Sequence, residues 1–215
     1  MPLLPLFVNL AGRRVLLVGA GPVAAGKLIQ LRAAGADVRV VAPDVHPDIE
    51  AAGVPVERRG FRAADLDDVW LVVAAAPPAV NREVADAALD RRVFVNAVDD
   101  PANATAFLSG VVRRDGVTLA ISTEGHAPGL TALIREALDA LLPRDLGTWM
   151  EEARRLRTRW RQDGVPMSAR RPLLLEALNR LYGRTGRPEI ASDVPRREEE
   201  SVTGTDRGTE AAQWR

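Results

Sequence analysis

The chain has 215 residues, 47% of them hydrophobic, and a formal net charge of zero at pH 7. That length accommodates one ordinary domain with a smaller appendage, and the apolar fraction supports a real core. Cysteine is absent, which excludes a disulfide framework, a thiolate metal site and a catalytic thiol. The neutral balance argues against a broad nucleic-acid surface. No apolar run approaches the roughly 20 residues of a membrane span. The opening Met1-Pro2-Leu3-Leu4-Pro5 lacks the basic region of a signal peptide, so a cytoplasmic location is expected. Positive charge is almost all arginine, Lys27 being the only lysine. Arginine favours bidentate capture of carboxylate or phosphate; a biased genome composition explains the excess equally well.

Residues 3–10 are expected as an ordered lead-in over a sheet edge. The run Val15 to Val18 has the length and β-branched content of a fully buried parallel strand. Gly19, Gly21 and Ala24 follow as G-x-G-x-x-A. The glycines allow a tight turn and close approach of a ligand, and the small third position lets helix and strand pack. Orphan N–H groups at the new helix's start suit a pyrophosphate, and the helix dipole favours negative charge there. Pro22 is compatible with a first helical turn. The helix continues through Leu28 and Leu31, and Gly35 ends it. Asp37 to Val41 reads as the second strand. Asp44 lies two residues beyond its end, where it can bind a ribose hydroxyl or cap the helix starting at His46-Pro47-Asp48. With no arginine beside Asp44 to take a 2′-phosphate, NAD is favoured over NADP.

Val54 to Arg58 reads as an edge strand because of Pro55. Val69 to Val73 is a fourth strand, ending in the small residues Ala74, Ala75 and Ala76, which would let a cofactor approach. Asn81 to Arg92 is a helix and Val93 to Asn96 a fifth strand. The alternation gives an α/β fold with a doubly wound parallel sheet of Rossmann type. Such sheets bind ligands beyond the carboxyl ends of their strands. Gly19–Ala24, Ala42–Asp44, Ala74–Pro78 and Asn96–Asp100 are therefore expected to line one cleft.

The pattern then changes. Phe107 to Arg113 and Val117 to Thr123 read as strands joined by a tight turn at Asp115-Gly116. After a turn-rich loop, Leu130, Leu133, Ile134, Ala137, Leu138, Leu141 and Leu142 form one helical stripe. Two further helices are expected between Leu146 and Tyr182, broken around Gly164-Val165-Pro166. Their apolar residues need a partner surface, within the chain or in a homodimer. From Arg184 onward the composition predicts a mostly disordered tail. The domain boundaries read as 1–112 for the dinucleotide-binding domain, 113–145 for a dimerisation and substrate-cleft region, 146–183 for a helical domain and 184–215 for the tail.

Asp99, in the turn after the fifth strand, is placed to act as general acid or base beside a nicotinamide. The alternative is that Asp99 and Asp100 only build the turn before Pro101. Asn96 opens the same turn. Thr123 and His126 face the start of the long helix, though a lone loop histidine is more often merely solvated. No His, Asp and Glu cluster has metal-ligand spacing, so no metal site is expected.

Pro5-Leu-Phe, Val15-Leu-Leu-Val-Gly-Ala-Gly-Pro-Val-Ala24, Val40-Val-Ala-Pro43, Val95-Asn-Ala-Val-Asp99 and Ile121-Ser-Thr-Glu-Gly-His-Ala-Pro128 together resemble the precorrin-2 dehydrogenase family. These are siroheme synthase enzymes, some with sirohydrochlorin ferrochelatase activity. The resemblance runs from about residue 3 to 145. It implies a Rossmann domain, a dimerisation region and a helical C-terminal part, with NAD-dependent oxidation of the tetrapyrrole precorrin-2 to sirohydrochlorin. By position it implies Asp99 as the catalytic residue, Pro22, Val23, Pro43 and Asp44 as cofactor contacts, and Thr123 beside the tetrapyrrole. With Gly19, Gly21, Ala24 and Ala75 these complete the expected cofactor site; Asn96, Thr123 and His126 are the expected substrate contacts.

The chain departs from the family pattern at Gly26, Ala76-Pro77-Pro78, Ser109-Gly110, Glu124 and His126. Because the substrate carries several carboxylates, arginines at the rim should anchor it, Arg113 and Arg114 being candidates. Two other functions are compatible with the sequence. One is a bifunctional dehydrogenase and ferrochelatase; the other is a nucleotide-sensing regulatory domain that would need no Asp99.

Overall fold

The computed structural model describes residues 3–183; the tail expected at 184–215 lies outside the described residues. The chain divides into two compact units, Met1–Leu146 and Gly147–Arg215. The expected division at 112/113 falls inside a strand of the first unit, so the second sheet begins a little earlier, at Gly110.

The first unit is built on five parallel strands: β1 (Arg14–Val18), β2 (Asp37–Val41), β3 (Val56–Glu57), β4 (Leu71–Ala74) and β5 (Phe94–Ala97). Their spatial order is β3-β2-β1-β4-β5. The register sets Leu17 beside Val40 on one side and Val73 on the other. Successive side chains of a strand point to opposite faces, and both faces of β1 are covered. Val15 and Leu17 join the core beneath helices α1 (Pro22–Ala33) and α2 (Pro47–Ala51), with Ala24, Leu28, Leu31 and Ile49. Leu16 and Val18 join the opposite core beneath α3 (Pro78–Arg91), with Leu66, Val84 and Ala88. Burial on both faces is why the strand reads as an unbroken apolar run. Each such leucine contributes about 2 kcal/mol by leaving water.

Several boundaries differ from the sequence reading. Helix α3 starts at Pro78 rather than Asn81, because proline needs no N–H in a first turn. The third strand shrinks to two residues at the sheet edge. The lead-in does not cover the sheet: residues 3–9 are exposed and only Leu10 is buried. Pro5 has no N–H with which to add to a sheet edge.

A buried ion network supports the β2–β3 edge. Asp65 is 4% exposed. It accepts two bonds from the Arg59 guanidinium, at 2.8 and 2.6 Å, and one from the Arg62 backbone N–H at 2.8 Å. Arg39 reaches Glu57 and the Asp65 carbonyl, both at 2.8 Å. The Arg59 guanidinium holds the Asp65 carboxyl below the usual carboxylate range, against the opposing effect of burial.

Beyond β5 the alternation breaks. Strands β6 (Gly110–Arg114) and β7 (Val117–Ile121) form a separate antiparallel hairpin. Asp115 and Gly116 both take positive φ, 50° and 86°, the requirement of a two-residue turn that matches strand twist. Helix α4 (Pro128–Leu141) packs on this hairpin. Arg114 ties the two together, donating to the Leu142 carbonyl at 2.6 Å and to Asp139 at 2.8 Å. A cation there also complements the helix C-terminus. The apolar stripe expected on α4 exists, but no residue of the helix is buried; Leu130, Leu133 and Leu141 all stand exposed.

The second unit holds α5 (Leu146–Gln162) and α6 (Met167–Gly183). Gly164, with φ 68°, ends the first of them, and Val165 N–H closes back on the Trp160 carbonyl at 2.9 Å.

Candidate active site

Two different constructions stand at the carboxyl ends of the parallel strands. The first follows β1. Gly19 has φ 95°, and a Cβ there would lie 2.2 Å from the Ala75 carbonyl oxygen. Glycine is required because the turn presses against the end of β4. Gly19 N–H donates to the Val41 carbonyl at 2.9 Å and Ala75 N–H to the Val18 carbonyl at 2.8 Å, stitching β2, β1 and β4 at their ends. This is where strand order reverses, the usual ligand crevice of such sheets.

Gly21 has the opposite character. Its φ of −80° is open to any residue and no side chain caps α1. Nothing lies within 4 Å of where its Cβ would be. The first N–H groups of α1 thus open onto free space beside a turn with no obstructing side chain. Val23 is 54% exposed at the same helix start, while Ala24 is fully buried against the sheet. An anionic pyrophosphate fits this cradle by charge and by shape.

Pro43 and Asp44 are exposed at the end of β2. The helix cap that Asp44 might have supplied is made by His46, whose Nδ1 accepts from Asp48 N–H at 3.3 Å. Among the described residues no hydrogen bond or ion pair is recorded for Asp44, which leaves its carboxylate available. Ala75 and the turn after it are held by a residue the sequence did not flag. Asn81, 2% exposed, accepts from Ala76 N–H at 3.1 Å. A polar residue on the same buried face of α3 as Val84 and Ala88 was the available signal.

The second construction follows β5. The outer edge of that strand is occupied by the chain itself. Thr105 and Ala106 donate to the Val95 carbonyl at 2.9 and 2.8 Å, and Val95 N–H donates to Thr105 Oγ1 at 2.9 Å. This leads the backbone away from the sheet to the hairpin and opens a cleft of about 550 Å³ between them. The cleft is lined by Asn96–Asp100 below, Ser109, Gly110 and Arg113 on the hairpin side, and Thr123, Thr131 and Arg135 toward α4. Lys27 and Gln30 of α1 reach it as well. Of the four strand ends, Asn96–Asp100 lines this cleft.

Asp100 builds the local turn, accepting from Asn103 Nδ2 at 2.7 Å. Asp99 does not. It is exposed, sits at φ 56°, and no hydrogen bond or ion pair is recorded for its carboxylate among the described residues. Left-handed backbone is unusual for a non-glycine residue, though aspartate tolerates it better than most. Asn96 is 6% exposed. Its Nδ2 donates to the Ala106 carbonyl at 3.0 Å, while its Oδ1 is buried with no partner. A buried unmatched acceptor costs about 1–3 kcal/mol, so this one bordering a cleft is a natural partner for a ligand N–H.

Thr123 lines the cleft, but its hydroxyl is engaged, accepting from Ala127 N–H at 3.2 Å and lying 2.9 Å from Thr131 Oγ1. Gly110 makes room for Thr131: a Cβ at Gly110 would lie 2.7 Å from the Thr131 methyl. His126 is exposed and is not part of the lining; its backbone N–H donates to the Thr123 carbonyl at 2.9 Å. Arg113 lines the cleft, whereas Arg114 is committed to α4. Among the described residues no group of three or more His, Asp or Glu is placed to hold a metal ion. No helix among them is long and apolar enough to cross a membrane.

Comparison with known proteins adds three findings. Residues 6–110 match a family described as putative NAD(P)-binding. The chain is 40% identical over 184 residues to the siroheme synthase of Photorhabdus laumondii, covering 83% of this chain and 39% of that protein. It is 36% identical over 187 residues to the siroheme synthase of Zymomonas mobilis, covering 85% and 40%. The chain thus spans about two fifths of the length of these curated relatives. A solved structure named SirC, precorrin-2 dehydrogenase, superposes with a TM-score of 0.65 at 28% identity, over 84% of this chain and 92% of that one. The parallel sheet of the first unit is thereby a nicotinamide-dinucleotide-binding fold.

Proposed function

From the similarity to siroheme synthases over about two fifths of their length and to a precorrin-2 dehydrogenase structure, we propose that the chain is a member of that family and oxidises precorrin-2 to sirohydrochlorin with NAD⁺. The observation that carries this reading is the turn after β5. It carries an unengaged carboxylate, Asp99, in the lining of one cleft beside the dinucleotide strand ends, together with Asn96, whose buried Oδ1 has no partner.

A bound nicotinamide dinucleotide would supply the two-electron acceptor for a hydride. The Gly19–Ala24 turn and the open start of α1 hold the pyrophosphate, with Pro22, Val23, Pro43 and Ala75 around it. Asp44, free of the helix cap, binds the ribose hydroxyls, which favours NAD⁺ over its 2′-phosphorylated form. Aromatising the macrocycle releases one hydride and one proton. Asp99 takes that proton and passes it to solvent, so substrate and NAD⁺ become sirohydrochlorin, NADH and H⁺. Asn96 Oδ1 accepts a pyrrole N–H and orients the ring. Thr123 shapes the cleft through its bonds to Ala127 and Thr131. The uncovered stripe of α4, with Leu130, Leu133 and Leu141 exposed, supports a homodimer through this part of the chain.

Purified protein given precorrin-2 and NAD⁺ should produce NADH absorbance together with the sirohydrochlorin spectrum. Absence of turnover by folded protein that still binds NADH would overturn the reading. NADP⁺ should be used far more slowly than NAD⁺, and equal rates would remove the role given to Asp44. Light scattering at micromolar concentration should return twice the chain mass; a monomer would remove the dimer.

A further inference from the structure

The first unit pairs many of its arginines. Arg39 meets Glu57, Arg59 meets Asp65, Arg91 meets Asp67 and Arg114 meets Asp139. Among the described residues, unpaired arginines occur elsewhere in this unit, such as Arg82 and Arg92, but the cleft gathers several cations in one place. Lys27 and Arg113 line it with no hydrogen bond or ion pair recorded among the described residues. Arg135 has only a 3.4 Å contact with its sequence neighbour Glu136. These three cations come from α1, β6 and α4, far apart in sequence, and the fold brings them to one cavity. Strand alternation separates Arg113 from Arg114. The first borders the cleft, and the second is spent on the end of α4. On α1, Lys27 and Gln30 share a face at i, i+3 spacing, so the helix whose start faces the dinucleotide turn also borders the substrate cleft.

The only carboxylates in the lining are Asp99 and Asp100, and both lie in the turn after β5. Asp100 is held by Asn103. The cleft therefore has acceptors, Asn96 Oδ1 and Asp99, on its β5 wall and unpaired cations contributed by three other elements. A complementary ligand has N–H donors at its centre and carboxylates at its periphery. Resting on the tetrapyrrole reading above, we infer that Lys27, Arg113 and Arg135 form the rim that binds the peripheral carboxylates of the macrocycle. Lys27 is the residue through which the dinucleotide helix also positions the second substrate. These are binding residues, not catalytic ones, and their effect falls on affinity.

The test is a titration of the full chain with sirohydrochlorin, followed by its own fluorescence, at several salt concentrations. Lys27→Gln, Arg113→Gln and Arg135→Gln should each bind about fivefold more weakly, the effect of one partly exposed charge pair. Each should also show a shallower salt dependence than the parent. Lys27→Arg, which keeps the charge, should recover most of the affinity. Arg92→Gln, at the far end of α3, should match the parent, and all variants should bind NADH normally. If the parent binds sirohydrochlorin and oxidises precorrin-2 while the three variants equal it, the rim is wrong and the dehydrogenase reading survives. Lys27→Arg as weak as Lys27→Gln would likewise overturn the charge role. If the parent neither binds sirohydrochlorin nor turns over precorrin-2, both readings fall together.

Discussion

The turns after β1 and after β5 lie at the same end of one sheet, separated by a single strand, yet they are built on opposite principles. The β1 turn is made of backbone and of side chains that are absent: Gly19 because a carbonyl presses on it, Gly21 because the space must stay open. The β5 turn is made of side chains that are present and incompletely satisfied: Asp99 with a free carboxylate, Asn96 with a buried unmatched oxygen. A site of the first kind grips any dinucleotide, because pyrophosphate looks the same in all of them. A site of the second kind selects a substrate, because its groups are complementary to one pattern of donors and charges. On the proposed reading, cofactor binding and substrate choice are assigned to different strand ends.

If that division is right, the largest effect should come from the side-chain turn without disturbing the backbone one. Asp99→Asn keeps a residue that tolerates left-handed backbone but removes the base. Its kcat with precorrin-2 should fall about 10³-fold, with NADH affinity unchanged. Activity within tenfold of the parent would hand the proton to solvent and reduce Asp99 to a turn residue.

Both turns depend on the same scaffold, which can be weakened separately. Asp65→Ala removes the buried acceptor of the Arg59 guanidinium and the Arg62 N–H, leaving Arg59 with Glu57 alone, and should lower unfolding free energy by about 3 kcal/mol, with KM for both substrates unaltered in protein that remains folded. The pH dependence has a definite sign. Arg59 depresses the folded-state pKa of Asp65. Its contribution is therefore complete above the unfolded value of about 3.9 and is lost as pH falls through the lower folded value. Denaturation curves of parent and variant should differ most between pH 5 and 8 and converge only in strong acid, below the folded-state value. A gap that stays constant into strong acid would mean that Asp65 acts by packing alone.

The backbone turn makes its own sharp contrast between two glycines one residue apart. Gly19→Ala drives a methyl into the Ala75 carbonyl at a positive φ and should cost about 3 kcal/mol of stability. Gly21→Ala has an ordinary φ and empty space around it. It should change stability by less than about 0.5 kcal/mol while weakening NAD⁺ about tenfold by filling the pyrophosphate cradle. Equal stability losses at the two positions would erase the distinction between packing and ligand space.

The same division explains what could be read from residue order. Gly19–Ala24 and Asp37–Val41 were legible because local rules govern them: a buried parallel strand is an apolar run, and a tight turn before a helix needs small residues. Asp99 was visible as a carboxylate at a strand end, but not that Asp100 would satisfy the turn and leave its neighbour free. Lys27 and Arg135 could not be assigned, since only the path of residues 105–110 along the β5 edge brings α1, the hairpin and α4 around one cavity. Asn81 hid among the apolar residues of its helix face. The stripe on α4 was legible as a stripe, but periodicity reports that a face seeks a partner, not where the partner is.

The smallest effect concerns Thr123, where the β5 cleft meets the start of α4. Its hydroxyl accepts from Ala127 N–H and pairs with Thr131, and Gly110 is kept small by the same threonine. Such a hydroxyl acts first as a hydrogen-bond acceptor that holds the start of α4, worth about 1 kcal/mol, and only through that on the substrate. Thr123→Val should lose about this much unfolding free energy while KM for precorrin-2 moves by less than about threefold. Thr123→Ser, which keeps the oxygen, should restore it. A large rise in KM with unchanged stability would instead give Thr123 a direct contact with the macrocycle. The selective, side-chain part of the cleft would then extend from the β5 turn across to the start of α4.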